Sequence, residues 1–185
     1  MLPNLLRIRR PRVAAAVAAA CIGALVLASP SAMANSGGTG TTDPSPTVKG
    51  HKAKLVHGKA VAPKSAPRRV KEVIAAANDI AKGKGYCSGG GYSSWKSPCY
   101  DCSSSVSYAL HGGHLIKHAK PPSGLKTWGK PRKGAWITVY ANPSHAFMTV
   151  AGLRFDTSGL SSDGTRWHTS SRSGSGYVVR HPNGL

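Results

Sequence analysis

Apolar positions along this chain change period from helical to alternating. In residues 68–86 (RRVKEVIAAANDIAKGKGY), Val70, Val73, Ile74, Ala77 and Ile80 recur at helical spacing, and Gly83 and Gly85 end the run. That pattern predicts a helix. A Gly- and Ser-rich loop bounded by Cys87 and Cys99 follows. A second helix is expected to start at Asp101, turn Val106, Ala109 and Leu110 inward, and break at Gly112-Gly113. Residues 118–134 are too rich in Pro, Gly and Lys to predict a regular element. Beyond them the period becomes two: 135–141 (AWITVYA) and 145–151 (HAFMTVA) read as strands joined by Asn142-Pro143-Ser144, a turn signal. The runs LRFDT and GYVVRH complete an expected antiparallel meander. Helices first and strands afterwards is an α+β order.

The N-terminal part lacks such periods. Arg7, Arg9, Arg10 and Arg12 precede an apolar run over 13–27, and Ala32-Met33-Ala34 supplies a small-x-small cleavage pattern. Residues 1–34 therefore read as a secretory signal peptide, too short in its apolar run to span a membrane comfortably. Residues 35–66 are rich in Gly, Ser, Thr, Pro and Lys and read as a flexible basic linker. The expected folded domain is 67–185. The formal net charge is +19, and loss of the four leader arginines leaves +15. A charge of that sign attracts polyanions; in an exported protein these are anionic envelope polymers, not nucleic acid. No stable membrane insertion is expected once the leader is removed, and a monomer is expected.

Signal removal leaves Cys87, Cys99 and Cys102, an odd number. The easiest bridge is Cys87–Cys99, which closes a loop of about a dozen residues and is worth roughly 3 kcal/mol on the chain-entropy model. A C-x-x-C pair of Cys99 and Cys102 is the alternative, though the usual βαβ context of such a pair is absent. With Asp101 as N-cap, Cys102 is the first helical residue, where unpaired amides and the helix dipole favour a thiolate. Ser103, Ser104, Ser105 and Ser107 each sacrifice up to ~0.5 kcal/mol of helix propensity relative to Ala. A local rule broken beside a thiol is where functional sites tend to lie. His145 opens its strand directly after a turn and can act as the base. If Ala151-Gly152 forms a two-residue hairpin turn, Phe147 opposes Asp156, and His145 lies diagonal to Asp156 at roughly 7–8 Å between backbones. A one-residue slip would turn Asp156 away, and a turn cap for Thr157-Ser158 is its alternative role. His111, His114 and His118 are interrupted by Gly112-Gly113, so no metal site is expected.

These residues resemble the NlpC-type papain-like cysteine peptidases of bacterial cell walls. "DCSS" at 101–104 is similar to the family's Asp-Cys-Ser-Gly motif, with Ser104 in place of glycine. Tyr86 and Gly89-Gly90 in "YCSGGG" match its Tyr and Gly-Gly segment. "HAFMTVAG" from His145 is similar to its His-Val-Gly-Ile-Tyr-x-Gly strand, with Phe147 at a small-residue position. The third polar residue of the family, usually histidine, falls at Asp156. The resemblance implies a papain-like fold with N-terminal helices packed on an antiparallel β-meander. It also implies hydrolysis of a peptidoglycan stem-peptide bond, typically after D-γ-glutamate, by Cys102, His145 and Asp156. Tyr86 and Ser103 would lie beside the substrate, and no metal or organic cofactor is needed. A wall-binding module that keeps the fold without turnover is the alternative.

Overall fold

The structure, a computed structural model, describes residues 46–185. The expected leader over 1–34 and the first part of the expected linker lie outside the described residues. The rest of the linker is not a tether. Residues 46–66 form β1 (Thr47–Val48), β2 (Lys54–Val56) and β3 (Lys59–Pro63), ordered β1-β3-β2. β2 and β3 are a hairpin whose turn residues His57 and Gly58 both have positive φ (50° and 77°), a backbone twist that suits tight hairpins. Small apolar side chains, Ala53, Ala60, Ala62 and Ala66, are buried. Asn78 accepts from the Ala60 amide at 2.9 Å and donates to its carbonyl at 2.8 Å. Lysine-rich composition hid this hairpin, because the buried side chains between the lysines are mostly alanines and contribute little hydropathy.

α1 (Arg68–Ala81) buries Val70, Val73, Ile74, Ala77 and Ile80, the stripe expected of it. α2 (Cys102–Gly112) packs against α1 and β6. Its glycines do more than end it. A Cβ at Gly112 would stand 2.2 Å from Ala76 Cβ, and one at Gly113 2.3 Å from Val73 Cγ2, so their absence lets the two helices approach. All four serines of α2 are buried and each has a partner. Ser103 Oγ lies 2.5 Å from Tyr92 Oη, and Ser104 Oγ donates to Asp101 O at 3.3 Å. Ser105 Oγ accepts from Arg166 Nε at 3.1 Å, and Ser107 Oγ accepts from the Lys120 amide at 2.9 Å. A buried helix surrounded by polar partners tolerates the propensity loss that an exposed one would not.

Residues 118–134, expected to be irregular, contain α3 (Pro122–Thr127), which starts at Pro121-Pro122 and buries Leu125, and β4 (Lys130–Pro131). Proline at a helix start loses no intrahelical bond, which is why the composition misled. The strands β5 (Ile137–Ala141), β6 (Ala146–Val150), β7 (Leu153–Phe155), β8 (Trp167–His168) and β9 (Val178–His181) complete the main sheet, with a short α4 (Leu160–Asp163) after β7. Among the described residues the sheet order is β4-β9-β5-β6-β7-β8, with every pair antiparallel. The fold is α+β. β9 corrects the expected meander: it crosses to pair with β5 and does not extend the β8 edge.

Cys87 and Cys99 form a disulfide with Cα atoms 5.6 Å apart. Gly90 fits inside that loop only because it has no side chain, since a Cβ would meet Cys87 Sγ at 2.2 Å. The Cys87→Ser/Cys99→Ser double variant is expected to lose about 2–4 kcal/mol of stability. A denaturant midpoint unchanged from that of the oxidised wild type would contradict it.

Candidate active site

The Asp101 carboxylate caps α2, accepting from the Ser104 amide at 2.8 Å. That sets Cys102 at the first helical position, 7% exposed and free of any disulfide. His145 is set by the turn before β6: Asn142 Oδ1 accepts from its amide at 2.8 Å, and the Asn142 amide donates to its carbonyl at 2.9 Å. Because α2 packs against β6, the His145 imidazole lies near enough to the Cys102 thiol for each to shift the other's ionisation.

The hairpin that carries Asp156 has the expected register, Val150 opposite Leu153 and Met148 opposite Phe155. Its turn residues Ala151 and Gly152 both have positive φ (47° and 85°). Asp156 Oδ1 reaches His145 Nε2 at 2.9 Å, which leaves Nδ1 as the nitrogen facing the thiol. The same oxygen accepts from the Ser158 amide at 2.9 Å, so orientation of His145 and capping of the following turn are one arrangement. The Asp156 carboxylate is fully buried, and Oδ2 lies 3.0 Å from Arg172 and 3.7 Å from Arg154.

Electrostatics follow from these contacts. Burial pushes the Cys102 thiol up, but the His145 hydrogen bond, the Ala146 amide and the His145 charge outweigh it, leaving the thiol below its ordinary value. Burial pushes His145 down, yet the Asp156 and Cys102 bonds raise it to about 9. Burial likewise opposes ionisation of Asp156, and His145, the Ser158 amide and Arg172 hold it below the usual carboxylate range. The lowered thiol and the raised imidazole both favour the thiolate–imidazolium pair, the nucleophilic form, over the neutral one.

This state sets a pH signature. The thiolate persists as pH falls below the ordinary thiol range, and the ion pair is lost as pH rises through about 9, where His145 deprotonates. Iodoacetamide should alkylate Cys102 with a pH midpoint below that of an ordinary thiol, roughly 8.5. In His145→Ala the midpoint should move up, because burial and the Asp101 charge then act on the thiol without the imidazole to oppose them. A wild-type midpoint as high as the variant's would refute the ion pair.

Beside the pair lies a cleft of ≈ 580 Å³ whose lining includes Tyr86, His145, Thr157, Ser158, Leu160 and Ser161. Tyr86 is 57% exposed at its mouth. Its hydroxyl is pushed up by partial burial and by the negative charge of Cys102 and Asp101. The cleft wall after Asp156 is tied down by His168, whose Nδ1 lies 2.8 Å from Asp163 and Nε2 3.2 Å from the Asp156 carbonyl. Ser103 requires a correction: its side chain is fully buried under Tyr92, with its hydroxyl 3.3 Å from Asp101, and cannot touch a substrate. It braces the nucleophile's turn instead.

Several residues of the site were not identified from sequence. Arg166 is wholly buried and donates to the carbonyls of Ile80, Lys84, Gly85 and Tyr100, joining α1, the Tyr86 segment and the approach to α2. Tyr92 and Arg172 were likewise unmarked, because each acts through a residue distant in sequence. His111 is engaged elsewhere, stacked on Trp95 at 4.1 Å. Among the described residues no group of three or more potential metal ligands converges, and no helix is long and apolar enough to cross a membrane. Comparison of the chain with family models, curated proteins and solved structures finds no match.

Proposed function

We propose that this chain is a papain-like cysteine peptidase of the NlpC type, secreted, that hydrolyses a stem-peptide bond of peptidoglycan. The observation that carries the reading is the juxtaposition of the Cys102 thiol with the His145 imidazole, itself hydrogen-bonded to the Asp156 carboxylate, on a helix start and two adjacent antiparallel strands. The Cys102 thiolate attacks the scissile carbonyl carbon. The amide N–H of Cys102 at the start of α2, which has no partner within the helix, donates to the oxyanion. His145 gives its Nδ1 proton to the leaving amine as the C–N bond breaks, forming the acyl-enzyme. It then takes a proton from water, which releases the acyl group and restores the thiolate. Asp156 holds the ring and stabilises the imidazolium.

Tyr86 borders the route to the thiolate and is the residue suited to contact the stem peptide. The +19 charge favours association with anionic wall polymers. The Cys87–Cys99 disulfide is compatible with an oxidising, extracellular setting. The test is digestion of purified peptidoglycan, with released muropeptides read by mass spectrometry. Expected products carry a new amino terminus within the stem. Retained binding to the wall without any new terminus would replace this reading by that of a binding module.

A further inference from the structure

The connection from β8 to β9, residues 169–177, leaves one edge of the sheet and must pass β7, β6 and β5 to reach its pairing position. Its sequence, TSSRSGSGY, holds one large apolar group, Tyr177, and most of it is exposed. It nevertheless covers Tyr140 and Phe147, which are buried yet stand outside the main hydrophobic cluster. Those rings stack at 4.5 Å. Gly174 lies so close that a Cβ would meet Tyr140 at 3.0 Å, and Tyr177 meets Phe147 edge-on at 5.1 Å.

The polar anchor of this strap is Arg172. Its Nη1 donates to Asp156 Oδ2 at 3.0 Å, the oxygen that His145 leaves over. Its guanidinium sits 5.5 Å from the Phe147 ring centre and 6.0 Å from that of Tyr177. Phe147, where the resemblance expects a small residue, thereby becomes the platform for the guanidinium. Arg154 is the second cation near Asp156, at 3.7 Å, but its Nε has no hydrogen-bond partner and its Nη1 donates to the Ser171 carbonyl of the strap. Arg172 is therefore the cation that hydrogen-bonds the carboxylate.

We propose that Arg172 is a positioning residue for the triad: from the strap it fixes the plane of the Asp156 carboxylate and, through it, the ring of His145. The proposal rests on the peptidase reading for its catalytic consequence but not for its geometry. A buried carboxylate with one oxygen unheld could rotate, and the imidazole would turn with it. Small misplacement of a reacting group lowers rates steeply, up to about 10²-fold for 1 Å.

Two measurements separate the latch from the peptidase reading. Arg172→Gln is expected to lower kcat about tenfold with little change in KM, a size typical of a displaced supporting group. It removes a cation beside the Asp156–His145 pair, so the imidazolium becomes easier to keep and the alkaline limb of the rate profile moves up. Arg172→Lys should restore the limb but only part of the rate, since ammonium lacks the planar fork that meets both the carboxylate and the rings. His145 is titrated by NMR in a Cys102→Ala background with and without Arg172→Gln, a readout that needs no substrate. An upward shift there with no turnover by the wild type supports the latch and removes the peptidase reading. An unshifted His145 titration, or a kcat unchanged in Arg172→Gln, overturns the latch.

Discussion

Cys102→Ala should release no stem-peptide fragments from peptidoglycan above background, a fall on the order of 10⁴-fold or more, as for other deleted nucleophiles. The size follows from the chemistry: without sulfur there is no acyl-enzyme, and neither His145 nor the helix amides supply a nucleophile in its place. The fold should survive. Cys102 is in no disulfide, alanine is the best residue for a helix, and the small cavity left by sulfur costs about 1 kcal/mol. Retained circular dichroism and wall binding in the variant would therefore assign the loss to chemistry. Equal release by wild type and variant would remove Cys102 from the mechanism and the peptidase reading with it.

Arg166→Met should destabilise the domain by about 3–5 kcal/mol, a drop in Tm on the order of 10 °C for a chain of this size. Replacing both members of a buried ion pair by apolar groups can be harmless, but that escape is closed here. The partners are main-chain carbonyls of Ile80, Lys84, Gly85 and Tyr100, with the Ser105 hydroxyl, and no substitution at 166 removes them. Burial lowers the Arg166 pKa to about 10, which still leaves the guanidinium charged at neutral pH. The loss should therefore be present throughout the neutral range. Thermal and urea unfolding measure it; a midpoint within about 1 kcal/mol of wild type would mean that water replaces the guanidinium without penalty. Because Gly85 precedes Tyr86 and Tyr100 precedes Asp101, the substitution should also loosen the cleft mouth and the helix cap together.

How much of the site could be read beforehand depended on the range of the rule involved. Asp101 as a cap, Cys102 at a helix start and the register that sets Asp156 near His145 all follow from offsets of a few residues. Ala151 adopting positive φ is what made the two-residue turn real. Ser103 was misassigned because motif position says which residue follows the thiol, not which way its hydroxyl turns. Arg172 was invisible because it lies 16 residues beyond Asp156, in a segment of turn-like composition.

The amino-acid sequence by itself determined the two helices and the β5–β6–β7 hairpins, and it favoured, with alternatives open, Cys99 as the partner of Cys87 and Cys102, His145 and Asp156 as the thiol, imidazole and carboxylate of the site. Each rests on periodicity, capping, turn chemistry or short loop closure, which operate within a few residues. Tertiary structure alone decided that 46–66 folds onto α1, that β9 crosses to β5, that four serines can lie inside one helix, and that Arg166 and Arg172 are internal anchors. Those outcomes depend on partners brought together by the finished fold. A lysine-rich hairpin, a serine or an arginine has no local signature that distinguishes a satisfied interior position from a solvated one.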